Sequence, residues 1–273
     1  MIEVKNIYKS FDGQQVLVDI STVFEKGKTN LIIGQSGSGK TVLMKCCIGL
    51  FDVDGGEVNF DGRCFSGLKE KRKKETRKEM GVLFQGGALF DSYSVEENVM
   101  FPLNMFTKMP VEEKLARVND VLKRVNLVNA NKKFPAELSG GMIKRVAIAR
   151  AIAMNPKYLF CDEPNSGLDP KTAELIDALI SDLTEEYNMT TVINTHDMNS
   201  VLQIGQNIVF VNKGQLWWEG NNKEILKTDN PELNEFVFAT ELTRRIKRLI
   251  LTCSIFFYLF LCCCLPGVVI KKA

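Results

Sequence analysis

Gly34-Gln35-Ser36-Gly37-Ser38-Gly39-Lys40-Thr41 and, further along, Leu138-Ser139-Gly140-Gly141-Met142 decide how the rest of the chain is read. The first stretch fits G-x-x-x-x-G-K-[ST], a loop whose backbone N–H groups cradle phosphate oxygens. Gly34, Gly37 and Gly39 let the backbone wrap that tightly, with Gln35, Ser36 and Ser38 completing the cradle. Lys40 is placed to reach β- and γ-phosphates, and the Thr41 hydroxyl to ligate Mg²⁺. The apolar run Thr29-Asn30-Leu31-Ile32-Ile33 before the loop reads as a buried strand, and Val42-Leu43-Met44 opens a helix after it. Strand–loop–helix is the context that the motif requires.

In the second stretch Ser139 and two glycines precede Lys144-Arg145-Val146-Ala147-Ile148-Ala149-Arg150, a basic–apolar run with helical periodicity. A serine hydroxyl, flexible amides and a helix N-terminus make an anion site. Taken alone, the same residues also describe an ordinary N-capped helix. Together the two stretches resemble the ATP-binding-cassette ATPases, in which the serine-glycine signature of one subunit closes on the P-loop nucleotide of another. The resemblance implies an α/β, P-loop NTPase fold: a RecA-like parallel-sheet core, an antiparallel β subdomain and a helical signature subdomain over about residues 86–155. It implies ATP and Mg²⁺ as ligands, and a homodimer with Ser139, Gly140 and Gly141 facing the partner's nucleotide.

Further residues fall in the order that the family shows. Tyr158-Leu159-Phe160-Cys161-Asp162 is an apolar run ending in a carboxylate, a donor that suits Mg²⁺. Glu163 follows and would face the attacking water as general base, although paired acids at a strand end also occur as plain surface residues. His196 is the single histidine, after the strand-like Thr190-Thr191-Val192-Ile193-Asn194-Thr195. Lone histidines are usually structural or solvated; this one is spaced like the family's switch histidine, which contacts the γ-phosphate. Gln85, after Gly81-Val82-Leu83-Phe84, matches the Q-loop that senses Mg²⁺ and γ-phosphate. Ser166-Gly167-Leu168-Asp169 resembles the D-loop crossing the dimer interface, or else a turn before a helix that starts at Pro170. Phe11 sits where the family stacks an aromatic on adenine; beside Asp12-Gly13 it can equally cover a hairpin.

Composition agrees. Net charge is +2 with 25% charged residues over 273 residues, so no global basic field argues for nucleic acid. The start Met1-Ile2-Glu3-Val4-Lys5 is strand-like and charged, unlike a signal peptide. The eight cysteines lack zinc spacing; Cys46-Cys47 in a helix and Cys161 in a strand read as buried, reduced thiols in the cytosol. Residues 1–30 alternate as strands with turns at Asp12-Gly13 and Lys26-Gly27, and a turn at Asp54-Gly55-Gly56 leads into a hairpin strand, Glu57 to Gly62. The charged run Lys69 to Glu79 reads as a solvated helix, its excess positive charge being also a match for anionic headgroups. Strand–helix alternation around the acids implies a largely parallel sheet.

The segments Leu83 to Asp91 and Glu96 to Leu103, with Met142 where most cassettes have glutamine, resemble the ATPase of the maintenance-of-lipid-asymmetry system. That system moves phospholipid with a membrane permease and an MCE lipid-binding protein, so the resemblance implies a peripheral subunit on the cytoplasmic face of the inner membrane. It covers about residues 1–245. Gly86, commonly serine in that group, and Gln35, often proline in cassettes, depart from the pattern without removing a phosphate or metal ligand. The rival reading is a non-transport cassette, an assembly scaffold of the iron–sulfur type. The gap between loop and signature is too short for the coiled coils of chromosome-maintenance relatives, and translation-type relatives carry two cassettes. The tail, 246–273, has no family counterpart. Its uncharged Leu249 to Ile270, holding Cys262-Cys263-Cys264 and flanked by basic residues, is long enough for a bilayer helix, with the heavier flank cytoplasmic. Pro266-Gly267 interrupts that helix, and a sheath on the cassette or an extension unrelated to function are the other readings.

Overall fold

Apolar runs punctuated by glycine turns build two sheets around a shared core in the structure, a computed structural model that describes residues 1–238. β1 (Ile2–Phe11) and β2 (Gln14–Phe24) form an antiparallel hairpin. Asp12 and Gly13 turn it at φ 49° and 81°, paired positive values that suit a two-residue hairpin. β3 (Thr29–Ile33) leads to α1 (Lys40–Cys47). β4 (Gly55–Phe60) and β5 (Arg63–Cys64) extend the first sheet to the order β2-β1-β4-β5. α2 (Glu70–Arg77) then precedes β6 (Met80–Leu83). The helical insertion comprises α3 (Val95–Phe106), α4 (Val111–Arg124), a 3-10 turn at Pro135–Glu137 and α5 (Gly140–Ile152), with α3, α4 and α5 packed on one another.

β7 (Tyr158–Asp162), α6 (Pro170–Glu186), β8 (Thr190–Asn194), α7 (Met198–Ile204), β9 (Asn207–Asn212) and β10 (Gln215–Gly220) complete the second sheet. Its order is β10-β9-β3-β8-β7-β6, parallel throughout except for the β9–β10 hairpin. β3 and β8 are buried at every residue, as strands covered on both faces must be. The expected mixture of parallel core, antiparallel sheet and helical insertion is therefore present. Phe60 joins the two sheets, its ring edge-on to Phe65 at 5.2 Å and to Tyr158 at 4.7 Å.

Two local expectations change. Gly55 and Gly56 lie inside β4 and are not a turn before it. A Cβ on Gly56 would meet the Asn6 carbonyl oxygen at 2.1 Å, so glycine admits the bulge where β1 shifts register between Lys5 and Tyr8. α2 is only partly solvated: Lys73 and Thr76 are buried, and Lys73 pairs with Asp52 at 2.5 Å. Arg77 donates to the carbonyls of Ile48 and Gly49, the end of α1. Cys46, Cys47 and Cys161 are buried free thiols as expected, and burial pushes their pKa values up, that of Cys46 to about 11.

The described chain divides into Met1–Lys223 and a second unit beginning at Glu224. Within the second, a 3-10 turn at Ile225–Lys227 precedes α8 (Pro231–Val237), which Asn230 caps by accepting the Leu233 N–H at 2.8 Å. The boundary expected near residue 245 and the apolar tail lie outside the described residues. Among the described residues no helix is long and apolar enough to cross a membrane.

β6 passes α5 so closely that a Cβ on Gly81 would lie 2.4 Å from the Ala151 carbonyl oxygen. Gly81→Val should destabilise the chain by about 1–3 kcal/mol through overpacking. Urea unfolding should show a lower midpoint at unchanged slope; an unmoved midpoint would contradict this strand–helix contact.

Candidate functional site

The Gly34–Thr41 loop leaves β3 and enters α1 through two glycines that no other residue can replace without displacement. Gly34 has φ 149°, and a Cβ there would lie 2.2 Å from the Val211 carbonyl oxygen. Gly39 has φ 106°, and its Cβ would crowd Leu17 at 2.9 Å and the Val16 carbonyl oxygen at 3.1 Å. Gly39 is also the N-cap of α1, with no side-chain cap and no acid in the first turn. α2 and α4 likewise start without a side-chain cap, whereas α3, α5, α6 and α7 are capped by Ser94, Ser139, Asp169 and Asp197; what sets α1 apart is its glycine loop and the buried Lys40. The first N–H groups of α1 are thus left for an anion, the arrangement that a phosphate needs. Lys40 folds into the same loop and is 7% exposed, its Nζ donating to Gly34 O and Gln35 O at 2.9 Å each. Burial lowers its pKa, and the nearby Glu163 and Asp162 charges work against that.

The acids come from the adjacent strand end. Thr41 Oγ1 donates to Asp162 Oδ1 at 3.4 Å, and Asn194 Nδ2 donates to the same oxygen at 3.1 Å. A hydroxyl and a carboxylate form a donor set of the kind Mg²⁺ takes. Among the described residues no group of three His, Cys, Asp or Glu side chains forms an all-protein metal cage. Glu163 stands at φ 49°, a left-handed conformation costly to a non-glycine residue, and its N–H donates to Asn194 O at 3.0 Å. Its carboxylate accepts from His196 Nδ1, at 2.8 Å to Oε1 and 2.7 Å to Oε2. The two residues that the family pattern assigns to water and γ-phosphate therefore touch.

The remaining candidates gather elsewhere. Gln85, Gly140, Lys144, Ser166, Gly167 and Leu168 line one groove of about 460 Å³, bringing Q-loop, signature and D-loop residues together. Ser139 Oγ accepts from Met142 N–H at 3.4 Å and Asp169 Oδ1 from Thr172 N–H at 3.1 Å, so both act as helix caps within their own chain. Among the described residues no hydrogen bond joins Ser139, Gly140 or Gly141 to the Gly34–Thr41 loop. Phe11 is 37% exposed and packs edge-on to Phe51 at 5.1 Å, with Lys9 Nζ 5.2 Å from its ring centre. Two contributors carried no motif in the sequence. Asn194 had only its strand-end position, and Lys144 only its place in the basic–apolar run.

A glycine loop without a side-chain cap thus lies beside a strand-end carboxylate and a glutamate–histidine contact. Residues 17–166 match the family model of the ABC transporter, and the chain belongs to that family. It is an ABC-type ATPase, the ATP-binding subunit of a transporter, and uses ATP with Mg²⁺. It is 37% identical over 253 residues to the methionine import ATP-binding protein MetN of Campylobacter jejuni, covering 87% of this chain and 75% of that protein. It is 36% identical over 236 residues to the probable ribonucleotide transport ATP-binding protein mkl of Mycobacterium leprae, covering 86% and 68%. Among solved structures, a dimeric ATP-binding cassette in a post-hydrolysis state bound to ADP and Pi superposes with TM-score 0.75 at 32% identity, covering 81% of this chain and 99% of that one. The cassette cbiO1 of Clostridium perfringens, part of the ABC transporter complex cbiONQ, superposes with TM-score 0.79 at 30% identity over 91% and 98%.

Behind the site, Asp177 of α6 is 2% exposed, and Asn165 Nδ2 donates to Ser200 Oγ at 3.1 Å nearby. Burial raises the Asp177 pKa, Ser200 and Asn165 partly offset it, and Asp197 adds to it. The folded chain thus holds this proton to higher pH than the unfolded chain does. Its contribution is full below the unfolded carboxylate value of about 3.9, declines as pH rises toward the folded value, and is level beyond. Asp177→Asn, uncharged and of equal size, should flatten that decline in a series of melting temperatures from about pH 4 upward. Parallel profiles for the two proteins would show that Asp177 ionises as readily folded as unfolded.

Proposed function

We propose that this chain hydrolyses ATP at a site built from Lys40, Thr41, Asp162, Glu163 and His196, and that the transporter it drives carries phospholipid. The observation that carries the first part is the convergence of those side chains at neighbouring strand ends. Lys40 and the uncapped N–H groups of α1 hold β- and γ-phosphate charge, helped by the Gln35, Ser36, Gly37 and Ser38 amides. Thr41 and Asp162 would hold Mg²⁺, with Gln85 as its sensor, and the ion would neutralise phosphate charge when bound. Glu163 orients water and takes its proton, and His196 fixes the Glu163 carboxylate while turning the rest of its ring to the γ-phosphate. Phe11 stacks on adenine. Such catalysis is mostly positioning and electrostatics.

The same reading has two copies stacked head to tail, with Ser139, Gly140, Gly141 and Asp169 completing the partner's site. A membrane permease engages the groove beside Gln85, which places the subunit peripherally on the cytoplasmic face of the inner membrane. The phospholipid cargo rests on the Leu83 to Asp91 and Glu96 to Leu103 segments and on Met142. A second reading, a small polar cargo, is favoured by the 37% identity to a methionine importer. Purification of the chain with its permease separates the two. Copurifying MCE-type protein and bound phospholipid support the first, whereas ATPase stimulation by L-methionine without a lipid-binding subunit supports the second.

Glu163→Gln should keep ATP binding and lower turnover by about 10²–10⁴-fold, the usual contribution of a positioned general base. The trapped nucleotide should hold a dimer on gel filtration, and phosphate release at the parental rate would remove Glu163 from this role.

The signature is expected to act in trans. Lys40→Ala and Ser139→Arg chains should each be inactive alone and regain activity when mixed, because one composite site of the mixed dimer is intact. Parental activity in Ser139→Arg alone would place the signature outside the reaction.

A further inference from the structure

Lys144 is 5% exposed, inside α5, and among the described residues it makes no ion pair. Its Nζ donates to two main-chain oxygens, Gln85 O at 3.2 Å and Glu163 O at 3.5 Å. Burial lowers its pKa, and the Glu163 charge works against the shift. An ammonium buried against carbonyls alone is a costly way to fill a helix face, since an apolar side chain would need no desolvation. What the lysine gains is a grip on two particular peptide groups.

The first is the peptide that follows the left-handed φ of Glu163. Its carbonyl accepts from Ser166 N–H at 3.2 Å as well as from Lys144, while the Glu163 carboxylate points to His196. Without those donors the residue is free to relax toward ordinary φ, swinging the carboxylate off its line. The second peptide belongs to Gln85, beyond the end of β6 on a loop in which Gly87 O and Ala88 O accept from Arg150 of the same helix as Lys144, at 2.7 and 2.8 Å. One helix therefore holds the Gln85 loop by two side chains and reaches Glu163 through one of them.

We propose that Lys144 is a positioning residue of the hydrolytic reaction: its ammonium fixes the Glu163 peptide in the left-handed conformation and ties it to the Gln85 loop, so the aim of the Glu163 carboxylate follows the position of that loop. This rests on Glu163 acting as the base.

The test uses the full chain with Lys144→Met, which keeps length and removes the donors, and Lys144→Arg, which restores donors. Steady-state hydrolysis, binding of the fluorescent nucleotide mant-ATP and thermal unfolding are measured on each. Lys144→Met should lose about 10–100-fold in kcat, the scale of a slightly misplaced reacting group. KM, mant-ATP affinity and melting temperature should hold, and Lys144→Arg should recover part of kcat. Parental kcat in Lys144→Met overturns the proposal, as does a joint fall of kcat, mant-ATP affinity and melting temperature, which marks a purely structural lysine. If Lys144→Met does not fold, Lys144→Gln is held to the same criteria: lost kcat with intact binding supports the role, and parental kcat overturns it. Glu163→Gln measured alongside keeps the two readings apart. An active Glu163→Gln removes the base itself, whereas an inactive Glu163→Gln with parental Lys144→Met removes only the lysine.

Discussion

The register of three parallel strands is the constraint on which the site depends. Ile32 of β3 and Asp162 of β7 both pair with Asn194 of β8, so the three strands end side by side. The loops beyond them carry Gly34, Glu163 and His196 to one edge although they are far apart in sequence. A slip of one residue would turn Asp162 to the opposite face of the sheet. Nearly complete burial of these strands opposes such a slip, because side chains on both faces are already enclosed and the polar ones, such as Asn30 and Thr191, hold specific hydrogen bonds. Asn194 fastens the arrangement at its most sensitive point, donating to Asp162 through its side chain and accepting from Glu163 through its backbone.

A second device is the use of cations to hold main-chain oxygens. Along α5, Lys144, Arg145 and Arg150 bind carbonyls of Gln85, Val125 and Gly87, and Arg117 of α4 binds those of Ile152 and Ala153 where α5 ends. Helix ends and loop turns leave carbonyls without partners, and a multi-donor cation can satisfy two at once. Four of the ten basic side chains of the helical insertion are therefore internal fasteners.

Legibility followed the range of the determining contacts. The glycine loop from Gly34, the strand Thr29–Ile33 and the helix start at Pro170 are specified within a few residues, and the two last keep the bounds that the sequence implies, whereas α1 begins at Lys40, inside the motif and two residues before Val42. Phosphate-loop chemistry is local because the glycines, lysine and hydroxyl must follow one another. Gly55 and Gly56 read locally as a turn, as glycine pairs usually do, yet their role depends on β1, the neighbouring strand. The inward turn of Lys73 and Arg77 depends on Asp52 and on the end of α1. Asp177 carries no motif in the sequence, and its burial in α6 depends on segments distant along the chain, among them those of Asn165 and Ser200. Lys144 is the same case nearer the chemistry, since its partners lie on two other segments of the chain.

The anchoring of α1 has a consequence for control. At its front the loop is wedged by glycines against Val211 and Val16, and at its rear Arg77 grips Ile48 and Gly49. A helix pinned at both ends gives nucleotide a grip that distant events scarcely alter. Gln85 sits instead on an exposed loop, linked to the glutamate and not to Lys40. A partner that moves this loop would act as a V-type effector, changing maximal velocity while half-saturation by ATP stays constant. Fuel would remain bound at rest, and the arrival of cargo would govern only how fast it is burned.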